Sequence, residues 1–262
     1  AVYLATTGRR GPVLVDVTKD AQQAEIAISA ESERTLEGYA PTIKGHAGQI
    51  KRAAAMIREA RRPVVVAGGG VALAGAFDSL AALVDASQAP LVHTLMGKAT
   101  FDNDDPRNLG LFGYHGRWAA NKAITEADLV IAVGARFGDR STGRPEAFAS
   151  GARIVHRDTD PAEIGKNIDA YLPIVGDIAD ILPRLVTLLC DGAPGSGDTA
   201  LRETRQRWFV SLKEAEVAHP LPSPKDRFST PFILESLRRS HPDPILATDV
   251  GRHQIYACQY FP

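Results

Sequence analysis

The segment at residues 128–167 reads DLVIAVGARFGDRSTGRPEAFASGARIVHRDTDPAEIGKN and contains two short apolar runs, Leu129–Val133 and Arg153–His156. Glycine and charged residues, not further apolar residues, follow each run at its C-terminal end. Short runs of this kind are typical of buried parallel strands whose carboxyl ends carry a binding site. The segment therefore predicts two buried strands with a site in the loops that follow them.

The residues after the first run suggest a site for a diphosphate. Gly134 and Gly138 are small and Arg136 and Arg140 are cationic, so the backbone could approach an anionic group closely. Asp158, about 20 residues further on, could accept hydrogen bonds from ribose hydroxyls. The pattern predicts a dinucleotide site. From the residues alone, a plain turn with solvated arginines remains the alternative, because the glycine spacing is not G-x-G-x-x-G.

Asp160 is expected to have a structural role. Pro161 and Glu163 follow it, and this order is typical of a helix N-cap with proline at the first helical position and a capping box. A helix is therefore predicted to begin after Asp160.

Strand and helix patterns alternate over His46–Cys190 with short connections. This alternation predicts an α/β fold, a doubly wound parallel sheet with helices on both faces and right-handed crossovers. The remaining strands are predicted at Val64–Ala67, Pro90–Thr94 and Pro173–Val175, and helices at His46–Ala60, Ala74–Ala86, from Gly113 to Ala127, and Ile178–Leu189.

A second glycine cluster follows the first of these strands. Gly68, Gly69 and Gly70 would let the backbone approach a ligand and leave amides free at the start of a helix. A tight turn is the alternative. Thr94 and Leu95 end the next strand, on the same edge of the sheet.

The residues before His46 and after Cys190 include two segments that read as strands without a sheet of their own. Val13–Val17 and Ile245–Thr248 read as strands without the rest of a sheet. Ala21–Lys44 and Asp191–Thr199 read as linkers, and Leu201–Ala218 as a charged helix. Thr230 is expected to cap a further helix, with Pro231 at its first position.

Composition excludes several classes of protein. The 262 residues include 30 Lys and Arg against 31 Asp and Glu, so no charge bias toward nucleic acid or an anionic membrane exists. Cys190 and Cys258 have no metal-ligand spacing, which favours a reduced, cytoplasmic protein over a disulfide scaffold. No Ser/His/Asp or Cys/His arrangement indicates nucleophilic catalysis.

Several segments together resemble the catalytic subunit of acetolactate synthase, a thiamine-diphosphate enzyme. The first group is GARFGDRSTG and RIVHRDTDPAEIGKN, within the segment quoted above, and PIVGD at residues 173–177. The others are GRRGPVLVDVTKD (8–20), RRPVVVAGGGV (61–71), HTLMGKATF (93–101), LGLFGYHGRWAAN (109–121) and ATDVGRHQIYACQYF (247–261). The resemblance covers nearly the whole chain apart from residues 191–230.

The resemblance implies an order of domains. Residues 1–26 would end a pyrimidine-binding domain, 27–45 would be a linker, and 46–190 would form a central FAD-binding-like domain. Residues 191–229 would be a linker with a helix, and 230–262 would begin the diphosphate-binding domain. The chain thus resembles a piece of a longer protein.

It also implies the residues that bind cofactors. Arg9 matches an arginine that reaches the flavin, and Arg252 and His253 match positions near thiamine diphosphate, the first of which is usually glutamine. The full set implied for FAD is Arg9, Gly68, Gly69, Gly70, Thr94, Leu95, Gly113, His115, Gly116, Gly134, Ala135, Arg136, Arg140, Asp158, Gly176 and Asp177.

The activity implied is the condensation of two pyruvates to 2-acetolactate with loss of CO2, in branched-chain amino acid biosynthesis. The family's activating glutamate and its Gly-Asp-Gly motif for Mg²⁺ do not occur in this chain, so it is expected to supply a structural FAD site and no catalysis of its own. Expected partners are 2-oxo acids, further copies in a homodimer or homotetramer, and a small regulatory subunit. Another thiamine-diphosphate carboligase or decarboxylase, or a non-catalytic module for FAD, ADP or a CoA-like ligand, is the alternative.

Overall fold

Six parallel strands form a single sheet in the computed structural model, which describes residues 1–27, 36–191, 199–223, 228–241 and 245–261. The strands are β1 (Pro63–Ala67), β2 (Leu91–His93), β3 (Asn108–Leu111), β4 (Leu129–Val133), β5 (Arg153–Asp158) and β6 (Leu172–Val175). Their spatial order is β3-β2-β1-β4-β5-β6. This order belongs to doubly wound Rossmann folds and confirms the predicted fold class.

The central strands are apolar along their whole length. β1 and β4 are buried at every position and pair in register from Pro63 with Leu129 to Ala67 with Val133. A strand buried on both faces needs apolar side chains on both, so continuous rather than alternating runs occur here. The chain leaves β1 toward one side of the sheet and β4 toward the other. The two turns that follow β1 and β4 therefore meet at the topological switch point.

Helices cover both faces of the sheet. In chain order the helices of the described ranges are α1 (Val2–Thr6), α2 (Lys19–Gln23), α3 (Ala47–Glu59), α4 (Gly69–Ala74), α5 (Phe77–Ser87), α6 (Trp118–Glu126), α7 (Asp139–Thr142), α8 (Ile178–Asp191), α9 (Thr199–Ala218), α10 (Thr230–Ser240) and α11 (Arg252–Tyr260), of which α10 and α11 pack on each other in a separate small cluster. Buried residues of α3, α5 and α8 form one core with the sheet. Those of α6 and α9 form the core on the opposite face.

Arg205 on α9 joins the two sides of the domain. Its guanidinium donates hydrogen bonds to the carbonyl oxygens of Ile57 (2.6 Å), Ala60 (2.7 Å) and Ser87 (3.0 Å), at the C-terminal ends of α3 and α5. The last carbonyls of a helix have no partner within the helix, and a cation there also meets the negative end of the helix dipole. One side chain therefore satisfies the ends of two helices.

The structure differs from the sequence predictions at the flanks. Val13–Val17 and Ile245–Thr248 form no strand with any described residue, since the edge strands β3 and β6 pair only with β2 and β5 in the described sheet. The predicted helix at Ala74–Ala86 is two helices, α4 and α5, interrupted at Gly75 with φ +64°. The predicted N-cap of α10 is also wrong by one residue, since Ser229 accepts the hydrogen bond from the Phe232 amide.

Two further differences concern loops of the sheet. β3 was not predicted, and the helix expected from Gly113 begins only at Trp118. No helix follows Asp160, although its carboxylate accepts the Ala162 amide at 3.0 Å and so caps a turn. A linker was predicted at residues 191–199. Residues 192–198 of it lie outside the described part of the chain.

Candidate functional site

The turns after β1 and β4 are bonded directly to each other. The Gly68 amide donates to the Val133 carbonyl at 2.9 Å, and the Gly70 amide donates to the Gly134 carbonyl at 3.1 Å. A Cβ on Gly68 would lie 2.1 Å from the Gly134 carbonyl oxygen. Gly134 itself has φ +62°, which favours glycine. The close packing of the two turns thus requires these glycines. The sequence predicted free amides here, and this is wrong for Gly68 and Gly70, whose amides bond to the neighbouring turn.

The turn after β2 packs against the same place. The Thr94 hydroxyl accepts the Gly97 amide at 3.1 Å and caps a short 3₁₀ turn, Leu95–Gly97. A Cβ on Gly97 would lie 2.1 Å from the Ala67 carbonyl oxygen. Thr94 and Leu95 therefore lie next to the glycine cluster at Gly68–Gly70, on the same edge of the sheet, as the sequence predicts.

The loop after β3 is held from both sides. The Asn121 side chain accepts the Gly113 amide (2.7 Å) and donates to the Gly113 carbonyl (3.0 Å). The Tyr114 amide donates to the Arg140 carbonyl at 2.9 Å. This contact joins the loop that carries His115 and Gly116 to α7. The side chains of Tyr114 and His115 are exposed at this edge of the sheet.

The loop after β4 separates buried anchors from exposed cations. Phe137 is buried, contacts the ring of Phe148 edge-on at 5.4 Å, and holds the loop to the core. Ala135 is buried as well, and its carbonyl lies 2.9 Å from His156 Nε2. Arg136 and Arg140 project into solvent. Two cations are therefore available to an anion at the end of the central strands.

Acidic and basic groups meet at the ends of β5 and β6. Asp158 is buried, and its carboxylate accepts the Asp160 amide at 3.0 Å. The Gly176 amide donates to the Asp158 carbonyl at 3.1 Å. Asp177 caps α8, because its carboxylate accepts the Ala179 amide at 2.9 Å. Asp158, Gly176 and Asp177 thus lie together, as predicted.

Arg157, which the sequence reasoning missed, is buried among these groups with 3% of its surface exposed. It donates one hydrogen bond to the Gly176 carbonyl at 3.0 Å, and its Nε and Nη1 have no partner among the described residues. Burial lowers the pKa of Arg157 to about 9, although the charges of Asp158 and Asp177 oppose the shift. Nothing in the pattern RIVHRD indicates that this arginine is inside.

Arg9 joins the N-terminal segment to the β5 loop. Its guanidinium lies 2.9 Å from the Asp160 carboxylate and 2.8 Å from that of Glu163. The Ala162 amide and Arg9 together lower the pKa of Asp160. Arg9 thus pairs with Asp160, which follows Asp158 by two residues, on the side of the predicted nucleotide site.

Arg252 and His253 are exposed in the first turn of α11. This helix contacts the loop after β3 through Gln259, whose amide donates to the His115 carbonyl at 2.6 Å. The residues expected near thiamine diphosphate and one of those expected at the flavin therefore lie on contacting elements.

No metal centre is found in the described ranges. They contain no group of three or more His, Cys, Asp or Glu side chains arranged to hold an ion. Among these residues, no helix has both the length and the apolar composition needed to cross a membrane.

Comparison with known proteins identifies similar sequences. The family model described as "Thiamine pyrophosphate enzyme, central domain" matches residues 50–185. The chain is 41% identical to a probable acetolactate synthase large subunit of Methanocaldococcus jannaschii, over all of this chain and 45% of that protein. It is 39% identical to the acetolactate synthase large subunit of Corynebacterium glutamicum, over 99% of this chain and 41% of that protein. It is 38% identical to an acetolactate synthase of Mycobacterium bovis, over 99% of this chain and 42% of that protein. It spans less than half the length of these relatives.

Proposed function

Because this chain belongs to the thiamine pyrophosphate enzyme central-domain family, we propose that it is part of an acetolactate synthase large subunit. The complete protein would condense two pyruvates to 2-acetolactate with loss of CO2, the reaction of a transferase, in branched-chain amino acid biosynthesis. The observation that carries the proposal is the extent of the similarity. It continues beyond residues 50–185 to 99% or more of the chain, and those relatives are named acetolactate synthases.

This chain would supply a structural FAD site in the crevice at the carboxyl ends of the strands. Exposed Arg136 and Arg140 would pair with the diphosphate, because guanidinium groups match phosphate oxygens in charge and geometry. Asp158 would accept hydrogen bonds from ribose hydroxyls. The strand ends fit such a ligand in their charges, because cationic groups follow β4 and acidic groups follow β5 and β6.

The remaining FAD residues extend along the same edge of the sheet. Thr94, Leu95, Gly113, His115 and Gly116 follow β2 and β3, and Gly176 and Asp177 follow β6. The sheet order places β3 and β6 at opposite ends. A ligand crossing this edge would be extended, with one end near His115 and the other near Asp177. This length suits a dinucleotide better than a single nucleotide.

Thiamine diphosphate would be bound partly by Arg252 and His253, and when bound it supplies the electron sink for the reaction. The described residues hold no carboxylate cluster for Mg²⁺, so the metal would be bound by other parts of the complete protein. The isolated chain would therefore be inactive. Its residues would bind and orient the cofactors.

We also propose that the complete protein works as a homodimer or homotetramer with a small regulatory subunit, in the cytoplasm. Val13–Val17 supports an association with further polypeptide, because its four apolar residues are exposed and the segment pairs with no described strand. An unpaired extended segment of this kind can complete a neighbouring sheet.

A titration of the chain with FAD, followed by flavin fluorescence, tests the proposed site. Binding should saturate, and Arg136→Ala and Asp158→Ala should each weaken it roughly tenfold or more, since each removes a charged hydrogen-bonding group. Arg62→Ala is the matched control, because Arg62 is exposed just before β1, at the opposite edge of the sheet. Equal affinity in all four proteins would exclude this crevice as the flavin site.

Product analysis of the complete enzyme with pyruvate tests the activity. Acetolactate is the expected product. Acetaldehyde would instead indicate a decarboxylase of the same family, and turnover of neither kind would favour a non-catalytic nucleotide-binding module.

A further inference from the structure

A cavity of about 240 Å³ lies between the edge strand β3 and α11. Its walls come from the turn after β2, from β3, from the residue before α6, and from α10 and α11. The volume is several times the roughly 30 Å³ that a water molecule takes in the liquid. A lysine side chain on the wall therefore has room to carry an added group of a few atoms.

Positive charge exceeds negative charge on the walls of this cavity. Lys98, Arg117 and Arg238 line it, and the acidic residue among the lining residues is Asp104. Arg117 pairs with Glu216 at 3.2 Å, but that carboxylate is shared with a second lysine. In the part of the chain that the structure describes, neither Lys98 nor Arg238 has a carboxylate within 4.0 Å. Three cations thus face one carboxylate across the cavity.

The other titratable groups on the walls are His93, Cys258 and Tyr260, and all three are neutral at pH 7. Burial lowers the pKa of His93 to about 4, which leaves the imidazole uncharged. Burial also raises the pKa of the Cys258 thiol and that of the Tyr260 phenol, so neither forms an anion. These three groups therefore do not offset the positive charge.

Lys98 is the cation whose charged form this environment disfavours most. It is half-buried. Burial lowers its pKa, and the nearby charge of Arg117 lowers it further, against an opposing effect of Cys258. A lysine acts as a nucleophile only as the neutral amine, and a lower pKa raises the neutral fraction at pH 7. Lys98 is therefore a nucleophile in a cavity that two guanidinium groups also line.

We propose that Lys98 takes up dissolved carbon dioxide as a carbamate, which Arg117 and Arg238 stabilise. The amine lone pair attacks the carbon of CO2, an N–C bond forms as one C–O π bond breaks, and the nitrogen loses a proton to solvent. No oxidation or reduction is involved. The product ends in a planar anionic group like a carboxylate, which arginine binds with two parallel hydrogen bonds.

The charges on the walls favour this product over the protonated lysine. The ammonium of Lys98 adds to the repulsion among the cations, whereas the carbamate attracts both arginines. With the carbamate in place, two cations face two anions, the second anion being Asp104. The inference does not rest on the proposed function, because neither flavin nor thiamine diphosphate takes part and dissolved CO2 reacts without turnover.

Carbon-13 NMR of the 262-residue chain in labelled bicarbonate at mildly alkaline pH tests the proposal. A carbamate signal should appear and saturate as the CO2 concentration rises. A trialkyloxonium salt esterifies carbamates, and peptide mass spectrometry after this treatment should locate the added group on Lys98. Lys51→Met is the matched control and should keep the signal, because Lys51 is exposed on α3.

Lys98→Met and Lys98→Arg should both abolish the signal. The arginine variant keeps the positive charge, so it serves where the methionine variant fails to fold. Arg238→Gln should raise the CO2 concentration for half-saturation roughly tenfold, since it removes a charged hydrogen-bond donor. Arg239→Gln is its control, because Arg239 is the exposed neighbour on α10 and does not line the cavity.

Three results would overturn the proposal. The first is a signal that persists in a folded Lys98 variant. The second is an added group found on the amino terminus or on exposed lysines and not on Lys98. The third is an equal effect of Arg238→Gln and Arg239→Gln on the CO2 dependence, which would mean that Arg238 does not contact the carbamate.

Discussion

Replacement of Gly68 by alanine tests how closely the two central turns pack. The new Cβ would lie 2.1 Å from the Gly134 carbonyl oxygen and 2.6 Å from the Ala135 Cα. Both are backbone atoms, so no side-chain rotation can relieve the clash. Gly68 has φ −112° and ψ 176°, which alanine adopts freely. The effect on stability will therefore be steric and not conformational.

The expected cost follows from overpacking. Inserting a methyl group into a closely packed interior costs about 1–3 kcal/mol, and the backbone contacts place this substitution near the upper value. Alanine also lowers the conformational entropy of the unfolded chain, which raises the unfolding free energy by about 0.4–1 kcal/mol. The net loss in unfolding free energy is about 2 kcal/mol, or about 4–8 °C in melting temperature for a domain of this size.

Urea denaturation and thermal unfolding, both followed by circular dichroism, measure this loss. Gly151→Ala is the control, because a Cβ there would meet nothing within 4 Å and its φ lies outside the left-handed region. That variant should be neutral or slightly stabilised. If both variants unfold at the temperature of the parent chain, the turns are not packed as described, and the account of the glycine cluster is wrong.

Three further substitutions test other parts of the domain. Arg205→Met should lower the unfolding free energy by about 3 kcal/mol, because several buried carbonyls lose a charged donor. Urea denaturation measures this loss. A change below about 0.5 kcal/mol would contradict the role of Arg205 at the ends of α3 and α5. Leu212→Ala, at a residue with 0% exposure, should cost about 2–5 kcal/mol by the same assay, and a smaller loss would mean that α9 packs loosely. The pKa of His93 is about 4 in the fold against an ordinary value of 6.5, so the unfolded chain takes up the proton first and stability falls on acidification. His93→Gln should remove about 2 kcal/mol of the difference in unfolding free energy between pH 7.5 and pH 5, and parallel pH profiles for variant and parent would refute this assignment.

Continuous apolar runs made most of the sheet predictable from the sequence. Leu129–Val133 is a strand with the predicted bounds, because only a strand buried on both faces needs five apolar residues in succession. β3 has the sequence NLGL, which is short and contains glycine, so no pattern distinguishes it from a loop. Val13–Val17 has the composition of a strand, but a strand also needs a partner, and the described residues offer none.

The candidate site was predictable in position but not in its internal contacts. Parallel strands bring their carboxyl ends to one edge, so the pattern sufficed to place Gly134 and Asp158 on the same edge of the sheet. The hydrogen bonds between the Gly68 and Gly134 turns depend on the order of strands in space, which the sequence does not state. Arg157 was missed for a related reason, since burial of a charged side chain depends on what packs over it.

The strand order also governs how the chain folds during synthesis. β1 pairs with β2 on one side and with β4 on the other. Leu129 of β4 pairs with Pro63 of β1, so this second partner follows 66 residues later in the chain. At about 5–20 residues per second, a ribosome needs roughly 3–13 s to make that stretch. For this time the nascent chain carries an apolar strand, PVVVA, with at least one open edge. Molecular chaperones that bind exposed apolar strands are therefore expected to associate with the nascent chain in this interval and to leave once β4 has been added.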